Sequence, residues 1–176
     1  SLYAAFDTYP APKGAAVHIR EFAQTLFAYS GSGLLLVLGE ESLPSWQIEG
    51  TMQIRRLISG EQNYLKRARQ FGEFVYRHAA MLNEDLEIAH FRDPWGGIPI
   101  LDVAERSFKT VYEVNALPSI ELPARYPAVS RQTCERIRQL ERRCWQESDK
   151  IICPSQVIKN CLVDLGAEPG KINVIR

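Results

Sequence analysis

Residues able to do chemistry gather in three short stretches of this 176-residue chain. In the first, Asp7 ends an apolar run and Thr8-Tyr9-Pro10-Ala11-Pro12 follows, with two prolines that forbid helix continuation and ladder donation. Lys13-Gly14-Ala15-Ala16 then leads into a segment with helical spacing, so an anion can approach the N–H groups that a first helical turn leaves free, with Lys13 nearby. An anion-binding loop and a purely structural turn both fit this pattern. It is not a Walker loop, because the lysine precedes its glycine, and Gly31-Ser32-Gly33 lacks the third glycine of a dinucleotide fingerprint and reads as a helix stop. In the second stretch, Arg92-Asp93-Pro94-Trp95-Gly96-Gly97 sets a cation, a carboxylate and a flat aromatic face beside two glycines. The third, Asn115-Ala116-Leu117-Pro118-Ser119, offers a side-chain amide at the end of a β-branched run.

The elements that must position these residues alternate. Leu2–Phe6 reads as a strand, and Ile19, Phe22, Ala23, Leu26 and Phe27 share one face of the following helix. Leu34–Leu38 is a continuous apolar run suited to a strand covered on both faces. Glu40–Gly50 reads as a loop and Met52–Leu57 as an alternating strand near the sheet edge. Gln62–Leu82 has a helical apolar face, and its charged remainder reads as a solvated surface, with contact to an anionic membrane as the rarer alternative. Leu86–Phe91 and Lys109–Val114 are expected strands with a short helix, Ile98–Arg106, between them. A long helix, Ser130–Ser148, a strand, Lys150–Cys153, a helix capped by Ser155 and a last strand, Lys171–Ile175, complete the order. Such alternation predicts an α/β fold, a doubly wound and mostly parallel sheet of about seven strands. Its ligand crevice lies outside the carboxyl ends of the strands, where Asp7–Ala16, Arg92–Gly97 and Asn115–Ser119 should meet.

Composition narrows the function. Lys plus Arg and Asp plus Glu number 21 each, which gives no electrostatic reason to expect a nucleic acid as partner. No apolar run has the length of a membrane span and no leader peptide is recognisable, so a cytoplasmic protein is expected. The four cysteines have neither Cys-x-x-Cys nor zinc-site spacing and read as free thiols.

Taken in order, Pro12–His18, Ile88–Pro94, Val111–Glu121, Asp149–Ser155 and Gly170–Arg176 resemble the amino-terminal half of a family-4 nucleotide-sugar glycosyltransferase of the GT-B type. The resemblance implies that residues 1–176 form an amino-terminal, Rossmann-like, acceptor-side domain. By the same resemblance a donor-binding carboxyl-terminal domain is expected outside this chain, and the fragment alone is expected to transfer no sugar. It also implies a nucleotide-sugar donor, an acceptor still to be identified, and a retaining reaction with no metal and no cofactor. Gly14 and Ala15 match the family's diphosphate-contacting Gly-Gly loop, Lys13 can add charge to it, and His18 matches a frequent histidine of the first helical turn. Asn115 stands where some members carry a histidine facing the transferred sugar, Arg92 where a second histidine is common, and Asp93 where a glutamate is common. Asp93 and Asn115 are accordingly the expected catalytic residues, with Asp7, His18, Arg92 and Trp95 on the acceptor side. Asp7 is expected to fix its loop through backbone N–H groups and Trp95 to offer a sugar its flat face. A nucleotide-sugar epimerase of the same architecture and a non-catalytic α/β binding module are the competing readings.

Overall fold

A computed structural model describes residues 1–175; Arg176, the last residue of the family-like tail, lies outside the described residues. One sheet of eight strands among the described residues runs in the order β3-β4-β2-β1-β5-β6-β7-β8. Its strands are β1 (Leu2–Thr8), β2 (Gly33–Gly39), β3 (Trp46–Glu49), β4 (Met52–Ile58), β5 (Ile88–Phe91), β6 (Lys109–Glu113), β7 (Lys150–Cys153) and β8 (Ile172–Val174). The helices are α1 (Gly14–Tyr29), α2 (Tyr64–Met81), α3 (Pro94–Leu101), α4 (Pro118–Arg125), α5 (Arg131–Glu147) and α6 (Gln156–Asp164). Every neighbouring pair is parallel except β3 and β4.

Strand alternation decides which side each residue covers. Tyr3, Ala5, Leu35 and Val37 pack with Ile19, Ala23 and Phe27 of α1 on one face of the sheet. Leu2, Ala4, Leu36, Phe91 and Tyr112 pack with Phe71, Val75 and Ala79 of α2 and with Cys144 and Trp145 of α5 on the other. Both faces are therefore dry, as the near-continuous apolar run of β2 requires. None of the helices among the described residues is long and apolar enough to cross a membrane.

The structure departs from the sequence reading at three places. Trp46–Glu49, taken as part of a loop, is the edge strand β3, turned onto β4 by a two-residue hairpin in which Gly50 holds a φ of +59°. The short helix expected at Ile98–Arg106 instead spans Pro94–Leu101, because Asp93 caps it and Pro94 fits the first position, where its missing N–H costs nothing. A Cβ on Gly97 would lie 2.3 Å from the Phe91 ring, so this helix sits close against β5 and carries Asp93 with it. Pro118–Arg125 forms α4, with Pro118 at its start and Pro123 inside it, a pair of prolines that masks the helix in the sequence.

Candidate active site

The strand order reverses at β1, which lies between β2 and β5. The loops after β1, β5 and β6 meet there, outside the strands' carboxyl ends. Between them is a polar crevice of about 190 Å³ lined by Asp7, Tyr64, Arg92, Asp93, Trp95, Asn115 and Glu121, among others. A second, larger cavity of about 350 Å³ opens beside α1, lined by His18, Phe22, Glu113, Asn115, Cys153 and Pro154. Asn115 faces both.

The first turn of α1 has no acidic residue and no side-chain cap. The N–H groups of Gly14 and Ala15 find no acceptor among the described residues, so this turn presents free donors and the positive end of a helix dipole. Space is open around Gly14, where an added Cβ would meet nothing within 4 Å. Lys13, expected to add charge there, pairs its ammonium with Asp7. Asp7 also accepts from the N–H of the adjacent Thr8 at 2.9 Å. The loop is pinned from the sheet side by Arg56 of β4, buried, whose guanidinium donates to the Tyr9 carbonyl at 2.8 Å, to the Pro44 carbonyl at 2.9 Å and to Gln47 Oε1 at 2.8 Å. Nothing in the spacing of the sequence marks Arg56 for this task.

Asp93 lines the crevice with its carboxylate already committed in two directions. Its Oδ1 accepts from the Gly96 N–H at 2.9 Å, capping α3, and its Oδ2 accepts from the Phe6 N–H at 2.7 Å, tying α3 to β1. Burial pushes its pKa up to about 6 against the lowering effect of those two bonds. Four lone-pair positions minus two used leave room for a substrate hydroxyl. Trp95 is half-buried; its indole N–H donates to the Tyr64 hydroxyl at 3.0 Å, and its ring meets Tyr64 and Phe6 edge-on at centroid distances of 5.9 and 6.4 Å. Burial raises the Tyr64 hydroxyl to about 12, so Tyr64 stays protonated. Glu141 of α5, with no exposed surface, accepts from both the N–H and the hydroxyl of Ser119 at 2.7 and 2.6 Å. That bond pair fastens the start of α4, and with it Pro118 and Glu121 at the crevice wall.

The residue on which the side chains of the two cavities converge is one the sequence reading does not single out as a site residue. Glu113, buried at the end of β6, accepts from His18 Nε2 at 2.7 Å, from the Tyr3 hydroxyl at 2.9 Å and from the Asn115 amide. His90 Nε2 and Arg92 Nε each approach it to 3.1 Å, an electrostatic contact in which neither N–H points along a hydrogen-bond line. Burial alone would raise the Glu113 carboxyl; His90, the Arg92 charge and the Asn115 amide outweigh it and hold the pKa at about 2. A charged residue inside the β-branched run Val111-Tyr112-Glu113-Val114 was the available signal.

A doubly wound sheet with free helix-turn donors and a polar crevice at its switch point defines the class, a Rossmann-like domain, and the family and structural matches make it one half of a GT-B glycosyltransferase fold. The chain belongs to Glycosyltransferase Family 4, whose sequence model matches residues 12–176. It superimposes on sucrose-phosphate synthase from Thermosynechococcus elongatus with a TM-score of 0.72 at 15% identity, covering 99% of this chain and 47% of that one. Anabaena HepE in complex with UDP-glucose matches with a TM-score of 0.58 at 11% identity over 99% of this chain and 43% of that protein. The lipopolysaccharide outer core galactosyltransferase WaaB, in its apo form, matches with a TM-score of 0.60 at 13% identity over 98% and 44%. The chain thus spans just under half the length of these solved structures. No curated protein sequence matches it significantly.

Proposed function

We propose that this chain is the acceptor-side half of a retaining glycosyltransferase that moves a sugar from a nucleotide-sugar to a hydroxyl acceptor, the donor being held mainly by a second domain. The observation that carries the reading is the gathering of Asp7, Arg92, Asp93, Trp95 and Asn115 around one crevice at the switch point, in a chain whose α1 offers two unpaired N–H donors. In this reading the Gly14 and Ala15 N–H groups take up the charge that develops on the departing diphosphate, a task that needs donors fixed in advance. Asp93 uses its remaining lone pairs to orient the acceptor hydroxyl. Asn115, which cannot exchange a proton, hydrogen-bonds the sugar at the junction of the two cavities. HepE was solved with UDP-glucose, which supports a uridine nucleotide-sugar as the first donor to try.

The test is nucleoside diphosphate release by the full-length protein, supplied with uridine and other nucleotide-sugars and a set of hydroxylated acceptors. Acceptor-dependent release, lowered about a hundredfold or more by Gly14→Val with an unchanged melting temperature, is expected, because the space around Gly14 tolerates the side chain and the diphosphate does not. Release that is indifferent to Gly14→Val would reduce the loop to a structural turn.

A further inference from the structure

Three of the expected site residues come from different parts of the fold: His18 from α1, Arg92 from the end of β5 and Asn115 from the loop after β6. The exposed part of His18 stacks on Phe22 with 5.3 Å between ring centroids, and its Nε2 reaches inward. Arg92 lines the polar crevice and turns its Nε the same way, and Asn115 folds its amide back two residues along the chain. All three meet one oxygen, Glu113 Oε1. The other oxygen, Oε2, is anchored by the Tyr3 hydroxyl and faces His90, both fully internal. A carboxylate accepts only, so His18, Tyr3 and Asn115 donate to it, and the His18 ring presents a proton on Nε2.

We propose that Glu113 is the positioning residue of this site, a buried carboxylate anchored in the core through Tyr3 that sets His18, Arg92 and Asn115 in one mutual geometry across the two cavities. The inference rests on the glycosyltransferase reading for its kinetic consequence and on geometry alone for the clamp itself. An internal charge that served only to hold the core together would have internal partners on both oxygens; here one oxygen faces the core and the other holds side chains that line cavities. Burying a charge in this way is tolerated because it is paired and hydrogen-bonded.

Two variants test the clamp in the full-length protein. Glu113→Asp keeps the charge that balances Arg92 but draws the carboxylate back by one methylene, about 1.5 Å, beyond reach of the His18 ring. Glu113→Gln keeps the shape and serves if the shorter residue fails to fold, since its amide turns donors toward donors on at least one side. In protein labelled with nitrogen-15 in histidine, the His18 Nε2 proton is expected to be slow to exchange in the wild type and fast in the variant, with the backbone spectrum otherwise kept. A His18 proton that stays protected in both variants overturns the proposal, whether or not the protein turns over any sugar. Where turnover is measured, Glu113→Asp should lower kcat about a hundredfold, the scale of a misplacement near 1 Å, and much less when Asn115→Ala or His18→Ala is already present. An equal loss in every background would show Glu113 to act through general stability and would overturn the positioning role. Absence of turnover in the wild type with a protected His18 proton would contradict the glycosyltransferase reading and leave the clamp supported.

Discussion

Asp93 and Glu113 are carboxylates about one strand apart whose surroundings drive them in opposite directions. Asp93 is raised to about 6 by burial and Glu113 is held at about 2 by its donors. The linkage signs differ accordingly. Glu113 favours the folded state above its ordinary pKa, and that contribution disappears as pH falls from about 4.5 toward 2. Asp93 keeps its proton longer in the folded than in the unfolded chain, so its contribution falls as pH rises from about 4 to about 6 and is flat above. Asp93→Asn removes that slope and, through one lost acceptor at Phe6 or Gly96, costs about 1–2 kcal/mol. Urea melts of wild type and Asp93→Asn at pH 4 and pH 7 should show the wild type losing stability relative to the variant on going to the higher pH, by about 2 kcal/mol. A constant difference across that range would mean that Asp93 ionises as an ordinary surface carboxylate. Lys13 illustrates the limit of residue-level reading: its type fits an anion loop, yet in the folded chain its charge is paired with Asp7.

At the level of elements, the start of α4 is hydrogen-bonded to α5 through a single side chain. Glu141 supplies both acceptors for Ser119, and burial raises its pKa, which the Ser119 bonds lower in turn. Glu141→Leu would leave the Ser119 N–H and hydroxyl unpaired in an apolar setting, at about 1–3 kcal/mol each. Limited proteolysis of that variant is expected to cut first between residues 115 and 130, and a variant as resistant as the wild type would show that α4 is held by other contacts. Neither α4 nor its anchor is legible in the sequence, because Pro118 and Pro123 read as breakers and Glu141 falls among the charges of a helix rich in Arg and Glu. The larger frame is legible, since β2 has the unbroken apolar run of a doubly covered strand, and α1 and α2 show their periodic faces. That Asp7, Arg92, Asp93, Trp95 and Asn115 line one crevice is legible too, because loops at the carboxyl ends of neighbouring parallel strands must converge. Glu113 and Arg56 escaped because a partner across the sheet is set by tertiary contact and leaves no periodic trace. The edge strand β3 escaped because four exposed residues of mixed type carry little alternation.

At the scale of the whole molecule, the switch point at β1 decides where a ligand can sit, and its two cavities lie on either side of Asn115. The polar one, framed by Asp7, Asp93, Glu121 and Arg92, suits a ligand rich in hydroxyls, and the chain's span of just under half its solved relatives leaves the donor to a further domain in the proposed account. The central claim is that this crevice takes the acceptor. Steady-state kinetics on the full-length protein, with donor and acceptor varied in turn for wild type, Asp93→Asn and Asp7→Asn, tests it most directly, with melting curves taken alongside. The account predicts that Asp93→Asn lowers kcat/KM for the acceptor about tenfold or more with donor KM unchanged, while Asp7→Asn acts on donor KM or on stability. Turnover governed by Asp7, with Asp93→Asn silent toward the acceptor, would contradict it.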